Sequence, residues 1–179
     1  MVIDIQTFDV SSLSDENIFI VDANVLLYIH CPKVVMCDPN VASEYSKFIG
    51  QLMKKNCSIW VSSVNLQETL NVIERMCWKR YNKSQKIKVK RKKFRAIIAE
   101  RQKVKKEQTD FLNQIKQIYD IKTDSISQNE LTSYTDNLEK HRYDPIDYII
   151  SNHYGKSAGI VTNDADFTYD NNIIVYILS

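Results

Sequence analysis

Short, β-branched apolar runs alternate along this chain with longer stretches whose apolar residues recur every three or four positions. Such runs are typical of strands buried on both faces, and the longer spacing is typical of amphipathic helices. The predicted strands are residues 17–21, 57–62, 159–162 and 173–178. Because helical patterns separate them, we expect a three-layer α/β fold: a central, mainly parallel sheet with helices on both faces.

Start and stop signals bound the predicted helices. An Asp-Pro pair opens two of them, an Asn opens a third, and Gly155 ends the last, as caps and first-turn prolines commonly do. The predicted helices are a short one that stops near residue 32, and others over about 38–55, 65–77, 94–118 and 144–154. Polar residues interrupt the apolar stripe of the 94–118 helix, and residues 123–139 are polar enough to predict a loop or short surface helix.

Composition indicates one globular domain over residues 1–179, because 44% of the chain is hydrophobic and 26% is charged. The longest apolar runs fall far short of the roughly 18 residues that a membrane span needs, and no secretory leader is evident. We therefore expect a cytoplasmic protein with no membrane association. Its four cysteines lack zinc-site spacing and are predicted to be reduced thiols.

The net charge of +2 is the sum of two regions with opposite charge. Residues 79–108 contain 14 Lys and Arg residues against Glu100 and Glu107, a formal charge of +12. The remainder has 10 basic and 20 acidic residues, or −10. We therefore predict a basic helical insertion at about 79–120, carried by an acidic body. Such a distribution favours a polyanionic partner.

Acidic residues follow the predicted strands. Asp22 comes directly after the first strand, while Asp164 and Asp166 follow the strand that ends at Thr162. Two more acids, Glu68 and Asp147, fall in the predicted first turns of helices. Ligands of open parallel sheets bind beyond the carboxyl ends of the strands, so these five carboxylates are expected to converge.

Converging carboxylates raise one another's pKa unless a cation lies between them. Mg²⁺ or Mn²⁺ is the natural candidate, because these hard cations prefer oxygen ligands and can activate water against a phosphodiester. Each acid also fits a simpler role. Asp22 fits a helix cap, Glu68 a capping box or a solvated face, Asp147 a first-turn acid, and Asp164 and Asp166 turn residues. For Asp144, the cap before Pro145 is the preferred explanation.

Four segments of the chain, in order, resemble the four acidic motifs of PIN-domain nucleases. They are IFIVDANVLLY at 18–28, SSVNLQE at 62–68, DYII at 147–150 and IVTNDADF at 160–167. The resemblance leaves residues 79–140 largely unmatched, and this basic insertion is a departure from the family's compact toxin members. By resemblance, the fold is PIN-like.

The resemblance also implies roles for individual residues. The metal-binding catalytic acids are Asp22, Glu68, Asp147 and Asp164, with Asp166 as an accessory ligand and Asn24 and Thr162 as polar supports. The implied activity is endonucleolytic cleavage of RNA by a water that Mg²⁺ or Mn²⁺ activates. Toxin members of the family are held by an antitoxin, so an antitoxin-like inhibitor is one partner that the resemblance suggests.

The basic insertion contains an unusually dense group of cationic residues, which we call the basic arm. It consists of Lys86, Lys88, Lys90, Arg91, Lys92, Lys93 and Arg95. Phosphate contacts by several of these residues would give salt-sensitive, sequence-independent binding to RNA. A solvated helix face is the alternative interpretation.

Two other functions stay open at this level. One is a catalytically silent RNA-binding or scaffold protein, although none of the expected acids is missing. The other is a nuclease of structured DNA, which would use the same metal chemistry. His30, His141 and His153 have neither metal-site nor triad spacing, and we assign them no chemistry. Whether the chain forms a homodimer is also open.

Overall fold

The computed structural model describes residues 1–136, 138–139 and 143–178. His141 and residue 137 of the predicted polar segment lie outside this range. The described strands are β1 (Val2–Asp4), β2 (Ile18–Val21), β3 (Ser58–Ser62), β4 (Asp120–Lys122), β5 (Gly159–Val161) and β6 (Val175–Ile177). The four predicted strands correspond to β2, β3, β5 and β6, while β1 and β4 are additional.

The helices also follow the predicted order. They are α1 (Ala23–His30), α2 (Pro32–Val35), α3 (Pro39–Lys54), α4 (Ser63–Ser84), α5 (Arg91–Phe94), α6 (Ile98–Ile118), α7 (Gln128–Asp136) and α8 (Pro145–Tyr154), with two short 3₁₀ helices at Val10–Ser12 and Ala165–Tyr169. None of the helices in the described part has a long enough apolar stretch to cross a lipid bilayer.

All pairings in the six-stranded sheet are parallel, and the strand order is β1-β6-β5-β2-β3-β4. From β2 the chain builds outward to β3 and β4, and it then crosses back to place β5 on the opposite side of β2. The β2–β5 boundary is therefore the point where the strand order reverses. In open α/β sheets the ligand crevice lies at this switch point, beyond the carboxyl ends of the strands.

Alternating side chains of the central strands supply two separate apolar cores. Phe19 and Val21 of β2 face one core, with the buried residues of α1, α3, α4 and α6. Ile20, between them, faces the other core, together with Ile150 of α8. Because both faces of the sheet are covered, the structure confirms the predicted three-layer arrangement.

Two predicted helices differ from the structure in extent, and the one predicted over about 65–77 continues to Ser84. The helix predicted from Asn65 begins at Ser63, because the Ser62 hydroxyl caps it by accepting a hydrogen bond from the Asn65 N–H. The helix predicted over 94–118 is divided: α5 ends at Phe94, and α6 starts only at Ile98. The apolar stripe continues across the break because Phe94 is completely buried, as are Val104 and Phe111 of α6.

Candidate active site

The parallel register places Asp22 beside Thr162 at the switch point. Val21 of β2 is paired with Val161 of β5, so the residues that follow them leave the sheet side by side. Both are buried, with Asp22 only 4% exposed and Thr162 fully enclosed. A carboxylate buried at this level needs polar partners or a cation.

Asp22 has partners for both of its carboxylate oxygens. Oδ1 accepts a hydrogen bond of 2.7 Å from the Ala23 N–H at the start of α1. Oδ2 accepts one of 2.9 Å from the Thr162 hydroxyl and a longer one of 3.4 Å from the Asn24 amide. The cap role and the site role are therefore compatible, and Asn24 and Thr162 both contact the carboxylate that they were predicted to support.

Thr162 links Asp22 to the next acidic segment. Its hydroxyl accepts a hydrogen bond of 2.9 Å from the Asp164 N–H while it donates to Asp22. Asp164 in turn caps the short helix that follows, and its Oδ1 accepts a hydrogen bond of 2.9 Å from the Asp166 N–H. The turn role of Asp164 is thus real, and Asp166 joins the group through its backbone.

Glu68 and Asp147 approach this group from two helices. Glu68 lies in the second turn of α4, because the helix starts at Ser63, which corrects the predicted first-turn placement. Asp147 lies in the first turn of α8, as predicted, behind the Asp144 cap. Glu68 and Asp147 are both partly buried.

The pKa values show that four of the acids lie within electrostatic reach of each other. Burial raises the pKa of Asp22 to about 6, with a smaller contribution from Asp164. Burial likewise raises the pKa of Glu68 to about 6, helped by Asp22, Asp144 and Asp164. For Asp147, burial and the same neighbouring carboxylates raise the pKa to about 8. Asp144 therefore contributes negative potential here besides capping α8.

This arrangement suits a hydrated cation better than a fully protein-enclosed one. Within the described part of the chain, no group of three or more His, Cys, Asp or Glu side chains is arranged to hold a metal ion. Mg²⁺, however, is usually bound by one or two carboxylates and retains several waters. The donors are all hard oxygens that repel one another, so they fit such an ion.

Asn65 is a residue of this site that we did not predict. Its side chain is fully buried, and its amide donates a 3.1 Å hydrogen bond to the Val21 carbonyl, immediately before Asp22. Its Oδ1 has no hydrogen-bond partner among the described residues. Its place in the SSVNLQE motif, three residues from the Ser62 cap, was the available signal. Buried amide oxygens are rarely left unpaired, so this atom is an unused acceptor in the interior beside Val21.

The basic arm is divided between structural and exposed cations. Arg91 and Arg95 donate to Glu74 of α4, with Nε to Oε1 distances of 2.7 and 2.8 Å, and Arg101 of α6 donates to the other oxygen at 2.9 Å. Lys88 donates to the carbonyls of Asn82 and Gln85. The lysines at positions 86, 90, 92 and 93 are exposed.

Comparison with known proteins found similarity to a solved structure but none at the level of sequence. No family model and no curated protein matches the sequence. The chain is similar to a chain of "Crystal structure of VapBC2 from Rickettsia felis bound to a DNA fragment from their promoter", with a TM-score of 0.52, 20% identity, and coverage of 88% of this chain and 96% of that one. Together with the parallel sheet and its flanking helices, this similarity shows that the chain has a PIN-like fold.

Proposed function

We propose that this protein is a Mg²⁺- or Mn²⁺-dependent endoribonuclease. The observation that carries the proposal is the convergence of Asp22, Glu68, Asp147 and Asp164 at the switch point, where burial and the neighbouring carboxylates raise the pKa of the first three. A cluster that is unfavourable without a cation is typical of a site built for one. The PIN-like fold supports the nuclease assignment.

One or two of the four acids would bind the cation directly and the others would face its retained waters; the cation, when bound, would supply Lewis-acid stabilisation of charge on a phosphodiester. Thr162 and the Ala23 N–H hold the Asp22 carboxylate in one orientation, so that it needs little reorganisation on binding. Asp147 retains its carboxyl proton near neutral pH in the absence of a cation, because its pKa is about 8. Bound to a cation, this carboxyl would have to give up that proton.

RNA is the proposed substrate because the acidic motifs and the fold resemble those of PIN-domain nucleases, for which RNA cleavage is the implied activity, and because exposed cationic residues suit a polyanion. The lysines at positions 86, 90, 92 and 93 are available for phosphate contacts. Arg91 and Arg95 support them indirectly by attaching the arm to Glu74. The arm was predicted as one phosphate-binding surface, and we now propose that its lysines carry most of that role.

The decisive experiment is a cleavage assay on labelled single-stranded RNA and DNA with Mg²⁺, Mn²⁺ or EDTA. We expect cleavage of RNA only with a divalent cation, and loss of at least 100-fold in Asp22→Asn and Asp164→Asn. Asp110→Asn, which changes an exposed carboxylate on α6, is the matched control and should retain activity. Cleavage in EDTA would refute the mechanism, and cleavage of DNA alone would favour the DNA nuclease. An inactive parent that still binds RNA would favour the silent RNA-binding protein.

We also propose an antitoxin-like protein inhibitor, on the basis of the similarity to a VapBC2 chain. The test is expression of the parent and of Asp22→Asn in bacteria, followed by purification of the parent with the products of neighbouring genes. Growth arrest by the parent alone, relieved by one such protein, is the expected result. Equal growth of both strains would contradict the toxin assignment.

A further inference from the structure

A groove of about 450 Å³ opens next to the acidic site. One wall is the face of α4 that carries Glu68, Val72 and Arg75, and another part of the lining is Ile126, just before α7, with Leu131 in the first turn of α7. Its volume lies in the range of roughly 300–1,000 Å³ that is typical of ligand sites. Glu68 belongs both to this groove and to the candidate metal site, so the two are continuous.

The end of the groove away from the acids is cationic. Arg75 lies two helical turns after Glu68; its positive charge partly offsets the rise that burial causes in the pKa of Glu68, and it makes no ion pair within 4.0 Å with any described residue. Arg91 also lines the groove, where its Nη2 donates to the Asn71 carbonyl at 3.2 Å. Since the Glu74 carboxylate is shared by three arginines, positive charge remains in excess on this side.

The middle of the groove is apolar and open to solvent. Ile126 is 42% exposed and Leu131 is 49% exposed, although both are large apolar residues. Polar contacts hold this wall in place. The buried Asp124 carboxylate accepts hydrogen bonds from the Ser63 hydroxyl at 3.0 Å and the Val64 N–H at 3.3 Å. The wall therefore does not depend on burial of Ile126 or Leu131 for its position.

We propose that this groove binds one nucleotide of single-stranded RNA beside the scissile bond, with its base on the apolar wall and its phosphate at Arg75 and Arg91. This proposal rests on the proposed nuclease function. Charge complementarity favours a nucleotide, because the groove places an apolar surface between a cationic end and a metal-binding end. A base paired within a duplex could not reach the wall, so the groove selects unpaired RNA.

The test measures RNA affinity in the Asp164→Asn background, where cleavage does not interfere. The groove variants are Ile126→Ser and Arg75→Gln. Their matched controls are Ile174→Ser, a 39% exposed isoleucine after the last 3₁₀ helix, and Lys116→Gln, an exposed lysine of α6. We expect each groove variant to lose roughly 5- to 50-fold in affinity, through the lost apolar contact with the base in Ile126→Ser and the lost charge-assisted hydrogen bond to phosphate in Arg75→Gln, and each control less than 2-fold.

Oligonucleotides with a single abasic position, moved along the sequence, identify the base contact directly. We expect one position to weaken binding to the Asp164→Asn protein several-fold and to have no further effect in the Ile126→Ser variant. Unchanged affinity of both groove variants would overturn the proposal and assign the groove to another occupant, such as a helix of a partner protein. Binding is measured in the Asp164→Asn protein, whereas the nuclease function is tested by the cleavage assay on the parent protein. The two proposals can therefore fail independently.

Discussion

Asp22 and Asp164 illustrate how single carboxylates serve local structure and chemistry together. Each accepts a backbone hydrogen bond at the start of a helix, and Thr162 links the two. The simpler roles considered for these acids are therefore correct as descriptions of their contacts. They do not compete with a site role, because an ionised carboxylate has about four acceptor positions and the caps use few of them.

Thr162 tests this link without changing the volume of the site. Thr162→Val removes the hydroxyl that donates to Asp22 and accepts from the Asp164 N–H. We expect kcat to fall about 10- to 100-fold, because a hydrogen bond to a charged group contributes roughly 1.5–3 kcal/mol. Thr162→Ser retains the hydroxyl and should stay within about 3-fold of the parent. Equal activity of the valine and parent proteins would contradict the positioning role.

The raised pKa of Asp147 predicts how the stability of the protein depends on pH. Its pKa is raised from 3.8 to about 8 by burial and neighbouring carboxylates. The folded state therefore binds more protons than the unfolded state between these values, so the free energy of unfolding falls as pH rises from about 4 to about 8. At pH 8, Asp147→Asn should raise the free energy of unfolding of the metal-free protein by about 1–2 kcal/mol, which corresponds to a rise of a few degrees in Tm. At pH 4 it should have little effect.

Thermal melts at both pH values, with and without Mg²⁺, provide the measurement. Mg²⁺ should raise the Tm of the parent at pH 8 and have a smaller effect on the variant. A lower Tm for Asp147→Asn at pH 8 would show that the carboxylate stabilises the metal-free fold, contrary to this interpretation.

At the scale of elements, α4 joins the two functional regions of the chain. Glu68 and Arg75 line the groove, while Glu74 holds α5 and α6 through three arginines. Burial alone would raise the pKa of Glu74, but the hydrogen bonds from Arg91 and Arg95 outweigh it and lower the pKa. One helix thus sets the position of the basic arm relative to the acids.

Glu74→Ala should loosen the basic arm. The Glu74 side chain is 10% exposed and its arginine partners are 32–50% exposed, so solvent screening moderates the loss. We expect the free energy of unfolding to fall by about 1–2 kcal/mol in urea melts, with faster amide exchange over residues 85–97. Glu107→Ala removes an exposed pair with Arg80 and should change stability by less than about 0.5 kcal/mol. Unchanged amide exchange over the arm in Glu74→Ala would contradict this anchoring role.

At the scale of the whole molecule, the small net charge conceals the separation between a basic helical region and an acidic body. The structure shows that this separation is partly neutralised by pairing, as in the Glu74 cluster. Substitution of the lysines that remain exposed is therefore the best test of electrostatic binding to RNA. Removing residues 83–95 would also remove Arg91 and Arg95, which makes substitution the cleaner experiment.

Replacing the lysines at 86, 90, 92 and 93 with Gln should weaken RNA binding and reduce its salt dependence. Each lost phosphate contact on a single strand lowers the slope of log K against log salt by roughly 0.7, so four contacts lower it by up to about 3. The control replaces exposed lysines 33, 54, 116 and 156. Similar slopes for both quadruple variants would show that total charge, and not the arm, controls binding.

The amino-acid sequence alone predicted the alternation of strands and helices, the acids that follow the strands, and the basic arm. These features depend on local patterning: apolar period, capping residues and charge density are all visible within a few positions. It did not predict β1 or β4, because three-residue strands at sheet edges carry too little pattern. The break between Phe94 and Ile98 was missed for the same reason, since the apolar stripe continues across it.

Tertiary structure alone decided which residues meet. The parallel β2–β5 register brings Asp22 to Thr162, 140 positions apart, and the buried Asn65 beside them could be recognised only once Val21 was its neighbour. The tertiary structure also decided which residues of the basic arm are paired and which are exposed. Arg91 binds Glu74, although 17 positions separate them in the sequence. Local sequence determines the elements and their chemistry, whereas contacts between distant segments depend on how those elements pack.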